Sequence, residues 1–168
     1  MKLKTSDIAL YALLISLALA VSFFESFLPT AMIPLPGVKL GLANTVTLFA
    51  LYSLGFFPAL IILICRCVLS SLFGGGISAL AFSLSGGVLA LFIMRICKKC
   101  RQLSIYGVSI GGAAAHGIGQ ILAACVMLGS FSAVFYLPLL LASSVITGFL
   151  TAFISQILIS RTKNMFKK

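Results

Sequence analysis

Long apolar runs separated by short polar breaks are the feature that most restricts what this chain can become. Runs at about 8–28, 40–54, 57–73, 77–96, 105–128 and 133–159 have the length at which a helix crosses a ~30 Å hydrocarbon layer. Strand-like alternation is absent, so a closed β-barrel does not fit. The pattern predicts an all-α integral membrane protein: one transmembrane domain over residues 1–168, a bundle of about six helices with almost no mass outside the bilayer. Composition agrees. Hydrophobic residues make up 61% and charged residues 8%, against roughly a quarter charged in soluble domains. The mean hydropathy is +1.24.

The formal charge of +10 raises the question of nucleic acid, and position answers it. Ten of the 12 Lys and Arg residues fall in three places: Lys2 and Lys4; Arg95, Lys98, Lys99 and Arg101; Arg161, Lys163, Lys167 and Lys168. Six crossings put all three on one membrane face, and the positive-inside rule makes that face, with both termini, cytoplasmic. These are topology signals that also suit anionic lipid; no nucleic-acid partner is expected. The first apolar run is long for a cleavable signal and lacks a clear small-residue cleavage site. The five cysteines do not form a disulfide framework, and the Cys97–Cys100 spacing stands alone without a second pair or a nearby His.

Helix starts and stops are partly legible. Ser6 and Asp7 are N-cap candidates for the first helix, and Gly74, Gly75 and Gly76 mark a turn. The second run is short: some 15 residues rise only ~22 Å. The preceding segment with Pro34, Pro36 and Gly37 must then dip inward, which non-helical backbone does only where protein or water lines it. That points to a cavity opening on the outer face. Small residues at four-residue spacing supply close helix contacts in lipid. Gly107, Gly111, Ala115, Gly119 and Ala123 form such a row, and Ser144, Gly148 and Ala152 form another. Both are expected to pack within the chain. The row Ala12, Ser16, Ala20 could instead face a membrane partner.

Strong polar groups away from the basic clusters are few and costly at membrane depth unless paired or hydrated. Arg66, Glu25 and Lys39 all fall in the outer half. Either Glu25 pairs with Arg66 or Lys39, or a cation stays free for an anionic ligand; one acid against two bases favours the second. His116 and Gln120 share a helix face, as do Asn44 and Thr47. The candidate substrate-binding residues are therefore Lys39, Asn44, Arg66, His116 and Gln120. No metal ligand set is visible, no cofactor is implied, and His116 has no relay of partners for proton pumping. There is no G-x-x-x-x-G-K-[ST] phosphate loop. Asp7 and Glu25 are the sole acids, too few for an Asp-rich magnesium site or paired-carboxylate catalysis. An enzyme is not expected.

The segments PLPGVKLGLAN at 34–44, RCVLSSLFGG at 66–75, SLSGG at 83–87 and HGIGQ at 116–120 carry a resemblance. Together they resemble the Gx transporter family, often labelled heptaprenyl diphosphate synthase component I, which is itself similar to the substrate-binding S components of energy-coupling factor (ECF) transporters. The resemblance spans nearly the whole chain, and PGVKLGLAN is its most specific part. Family members usually carry Asn after the His of the fifth helix; here it is Gly117, so no role carries over at that position. The resemblance implies a multi-pass subunit of a bacterial cytoplasmic membrane that captures a small-molecule substrate at its outer face for uptake. It would dock on a transmembrane coupling subunit energised by two ATP-binding subunits. Ala12, Ser16 and Ala20 would supply the small-residue docking motif of the first helix. The charge balance suits an anionic or amphipathic substrate. The alternative reading is a non-catalytic membrane subunit associated with prenyl diphosphate or quinone biosynthesis. A stand-alone facilitator is a third.

Overall fold

A computed structural model describes residues 4–27 and 39–163. These residues form six α-helices: α1 (Thr5–Phe27), α2 (Asn44–Ser53), α3 (Phe56–Ser70), α4 (Gly76–Lys99), α5 (Ile105–Leu128) and α6 (Leu137–Thr162). A π-helical turn, Ser71–Gly75, joins α3 to α4, and a 3-10 turn, Phe131–Tyr136, leads into α6. No strand occurs among the described residues. Five stretches are long and apolar enough to cross a membrane: Thr5–Ser26, Phe56–Phe73, Gly76–Lys99, Ile105–Leu128 and Phe131–Thr162.

α2 is the exception, and its length differs from the expected 40–54. It begins at Asn44 and has 10 residues, about 15 Å of rise, which is half a crossing. Every residue from 44 to 51 is buried, and α2 packs against α6, α3, α4 and α1. It is a short core helix enclosed by the long ones. The early start fails at Gly41, whose φ of +86° interrupts helical geometry. The proline segment at 28–38 lies outside the described residues, as do Lys2, Lys167 and Lys168. At its other end α2 stops at Gly55, where φ is +100° in a region open only to glycine.

α1 begins one residue before the expected cap. Asp7 lies in its first turn and reaches back to accept from the Lys4 N–H at 3.1 Å, the return bond of a capping box. α5 starts on Ser104, whose hydroxyl accepts from the Gly107 N–H, and ends on Gly129.

The contacts fix which ends lie together. Lys98, in the last turn of α4, donates to the Leu51 carbonyl at 2.8 Å near the end of α2 and stands over the Tyr52 ring. Arg95 covers the Phe56 ring at the start of α3. Leu10, Tyr11, Ile105, Leu158 and Ile159 flank the same apolar core. The starts of α1, α3 and α5 and the ends of α2, α4 and α6 therefore share one end of the bundle, and the described basic clusters go with them. A second, smaller core of Phe82, Ile121, Ala124, Ala133 and Leu140 lies toward the other end.

Close packing follows the small residues. A Cβ at Gly119 would stand 2.7 Å from the Ser85 carbonyl oxygen and 2.8 Å from the Gly86 Cα, so α4 and α5 touch backbone to backbone. At Gly148 of α6 it would meet the Ile110 Cα of α5 at 2.6 Å. Both rows thus pack inside the chain, as lipid-embedded helices require in the absence of a hydrophobic drive.

Candidate functional site

Arg66 lies ten residues into α3 and Gln120 fifteen into α5, roughly 15 Å and 22 Å from the basic end. At that depth the bundle holds a cluster of polar side chains. Buried there are Ser22 and Glu25 from α1, Asn44 from α2, Arg66 from α3, and His116 and Gln120 from α5. Half-buried Lys39 joins them from the strand of chain before α2.

Local sequence explains how each arrives. α1 buries one narrow stripe, Leu14, Ala18, Ser22 and Glu25, at the three- and four-residue spacing of a single helix face. The stripe carries its two polar members inward at the far end. There the Glu25 carboxylate accepts from the Gly41 N–H. The bond falls where Gly41 takes a positive φ just before α2, so a carboxylate delivered by α1 meets the backbone at the approach to α2. A side chain at position 41 would meet the His116 Cδ2 at 3.0 Å and the Asn44 amide at 3.1 Å.

Of the two arrangements weighed for Glu25, neither pair forms. Arg66 and Lys39 are both within its electrostatic reach, but its bond goes to backbone. Arg66 Nη1 donates instead to Ser22 Oγ at 3.2 Å, and Lys39 Nζ donates to Ser70 Oγ at 3.4 Å. Among the described residues, each cation of the cluster has a hydroxyl partner and no carboxylate partner.

The α5 pair has an assignable hydrogen pattern. Gln120 Nε2 lies 3.0 Å from the Lys39 carbonyl and 2.9 Å from His116 Nε2. A carbonyl can only accept, so the amide nitrogen must face it. The second amide hydrogen goes to His116 Nε2, which places the neutral imidazole proton on Nδ1. Gly41 and Gly86 leave the room for the ring; at Gly86 a Cβ would lie 2.8 Å from His116 Nδ1.

The sequence-predicted residues Lys39, Asn44, Arg66, His116 and Gln120 thus stand in one connected region, through Gln120 to Lys39 and His116, and through Gly41 to His116 and Asn44. Arg66 enters it through Ser22 of α1. Sequence reasoning missed Ser22 and the true role of Glu25. Both lie on the stripe of Leu14 and Ala18, but α1 is apolar on every side, so its sequence does not show which face is buried.

The cluster is not satisfied internally. Among the described residues, Asn44 Nδ2 and Oδ1, Arg66 Nε and Nη2, His116 Nδ1 and Gln120 Oε1 are buried without a hydrogen-bond partner. Leaving such groups bare costs about 1–3 kcal/mol each, more for a charge, and native interiors keep few of them. Six such atoms lie together here, and in native interiors groups of this kind are met by protein, by ordered water or by a ligand. By contrast, a groove of about 560 Å³ between α4 and α5 is lined by apolar groups such as Val88, Leu89 and Phe92. The hydroxyl of Ser85, its one polar side chain, is bonded to the Ala81 and Phe82 carbonyls. That groove suits lipid tails.

The small-residue row of α1 is also placed. Ala12, Ser16 and Ala20 are exposed on α1, opposite the buried stripe. The Ser16 hydroxyl bonds the Ala12 carbonyl at 2.9 Å and leaves the surface smooth.

Long apolar helices around a buried polar set define a multi-pass helical membrane protein. The chain belongs to the heptaprenyl diphosphate synthase component I family, which it matches over residues 14–158. That span takes in every residue of the polar cluster. No curated protein and no solved structure matches it.

Proposed function

We propose that this chain is a non-catalytic, substrate-capturing membrane subunit of an uptake system. It holds a small acidic or amphipathic molecule in the polar cluster and takes it up from the face away from the basic end. With the basic end cytoplasmic, that face is the outer one of a bacterial plasma membrane. The observation that carries this reading is the set of partnerless buried atoms on Asn44, Arg66, His116 and Gln120. A purely structural cluster would use up its own donors and acceptors.

The partners are a transmembrane coupling subunit and two ATP-binding subunits, as in energy-coupling factor transporters. The exposed row Ala12, Ser16, Ala20 supports α1 as the docking helix, because small residues admit close approach of a second helix in lipid. The family's description favours one other reading, a membrane subunit that supports prenyl diphosphate synthesis.

Affinity purification of the chain from its native membrane separates these readings. Recovery of an ATPase module, with ATP-dependent uptake of the molecule retained by the chain, is the expected result. Prenyl synthase activity that rises on adding the chain would overturn it, as would transport by the chain alone in liposomes. Ser16→Leu should reduce recovery of the coupling subunit by about tenfold or more, in line with a lost close-packed contact, and leave the retained molecule unchanged.

A further inference from the structure

The unpartnered atoms of Arg66 are not a random pair. Nη1 is tied to Ser22 Oγ at 3.2 Å, and the two bare nitrogens are Nε and Nη2. They form the side edge of the guanidinium, the fork that meets two oxygens of one planar or tetrahedral anion at once. The residue is 3% exposed, so water does not freely solvate that edge.

We propose that the site binds its ligand through one oxyanion group, a carboxylate or a phosphoryl group, seated on the Nε and Nη2 edge of Arg66. This rests on the capture reading above and names the ligand chemistry.

Three observations lead there. First, among the described residues no carboxylate fills the fork. The chain has two acids; Asp7 is bonded at the opposite end, and Glu25 is engaged by the Gly41 backbone. Second, Arg66 and Lys39 against Glu25 leave one formal positive charge in the cluster, and a buried charge at this depth calls for a counter-ion. Third, the bare atoms are rich in donors. Arg66 Nε and Nη2 and Asn44 Nδ2 donate, whereas Asn44 Oδ1 and Gln120 Oε1 accept; His116 Nδ1 faces the α4 backbone at Gly86 and is not counted. The complementary ligand carries more acceptors than donors. Ser22 is a positioning residue: its bond to Nη1 fixes the plane of the fork and directs the free edge.

The full chain in nanodiscs of zwitterionic lipid tests this with defined probes: inorganic phosphate, diphosphate, acetate, and chloride at matched ionic strength. Thermal stability and calorimetric titration read the binding. A saturable response to phosphate, diphosphate or acetate and none to chloride is expected, and the strongest of the three identifies the group. Arg66→Gln should weaken the response about tenfold or more, and Arg66→Lys should fail to restore it, since an ammonium lacks the fork. Should Arg66→Gln not fold, Ser22→Ala keeps the charge and frees its plane, and is expected to weaken oxyanion affinity while chloride stays silent. Wild-type affinity in Arg66→Gln, or in Ser22→Ala where the Gln variant is lost, overturns the proposal. If no oxyanion binds but an uncharged molecule co-purifies and is lost in Asn44→Ala, the oxyanion assignment falls and the capture reading stands. If neither an oxyanion nor any retained molecule is found, both fall.

Discussion

Replacing Gly119 by alanine gives a direct measure of how closely α4 and α5 approach. The new Cβ would lie 2.7 Å from the Ser85 carbonyl oxygen, 2.8 Å from the Gly86 Cα and 2.9 Å from the Gly86 nitrogen. All three are backbone atoms, so no rotamer change relieves the contact. The helices must part by roughly 0.8 Å to restore a ~3.5 Å separation, and overpacking of this kind costs about 1–3 kcal/mol. Removing a helical glycine returns about 1 kcal/mol of propensity, which would blur the result in isolation. Two other glycines of α5 cancel that contribution. At Gly111 the nearest atom to a new Cβ is Cys97 Sγ at 3.6 Å, and at Gly117 it is Leu140 Cβ at 3.4 Å, both ordinary contacts. Gly111→Ala and Gly117→Ala should melt at or above wild type. Gly119→Ala should melt below them by about 1–3 kcal/mol, or roughly 2–12 °C for a chain of this size. The assay is monodisperse protein remaining by size-exclusion chromatography after heating in detergent. A Gly119→Ala variant no less stable than Gly117→Ala would refute the backbone contact.

Two further outcomes follow from the same geometry. Gly41→Ala and Gly55→Ala both force a side chain onto a positive φ, +86° and +100°, at about 1–3 kcal/mol each. Only position 41 abuts His116 and Asn44, so both should lower the melting temperature and only Gly41→Ala should also release the retained molecule, as read by mass spectrometry. Lys98→Met removes the bond to the Leu51 carbonyl and the contact with the Tyr52 ring, which should cost about 1 kcal/mol at this partly solvated position; Lys98→Arg should recover part of it in the same melting assay.

Much of this arrangement is legible in the residue order, because a bilayer converts run length directly into architecture. α5 falls on its expected 105–128, and α3 and α4 start within one residue of expectation. The helix expected from 133 is instead preceded by a 3-10 turn and starts only at Leu137. The internal use of the Gly119 and Gly148 rows and the shared face of His116 and Gln120 follow from periodicity. The start of α2 does not. Leu40 to Ala43 have the apolar character of a helix, but the break falls at Gly41, where φ is +86° and the N–H donates to the Glu25 carboxylate, a contact between residues 16 positions apart. The same contact removed Glu25 from the ion pairs that its charge suggested. Ser22 was invisible as a site residue for a related reason: a serine on an apolar helix ordinarily bonds its own backbone, as Ser16 and Ser26 do. Only the arrival of Arg66 from α3 gives Ser22 a different partner.

α1 holds the rest of the bundle by one slender seam, and packs chiefly on α3 with a smaller contact to α2. The outermost links of that seam are the hydroxyl that orients a guanidinium and the carboxylate that shapes the entrance to α2. A tilt of this one rod would therefore strain the Arg66 fork and the Gly41 bend together.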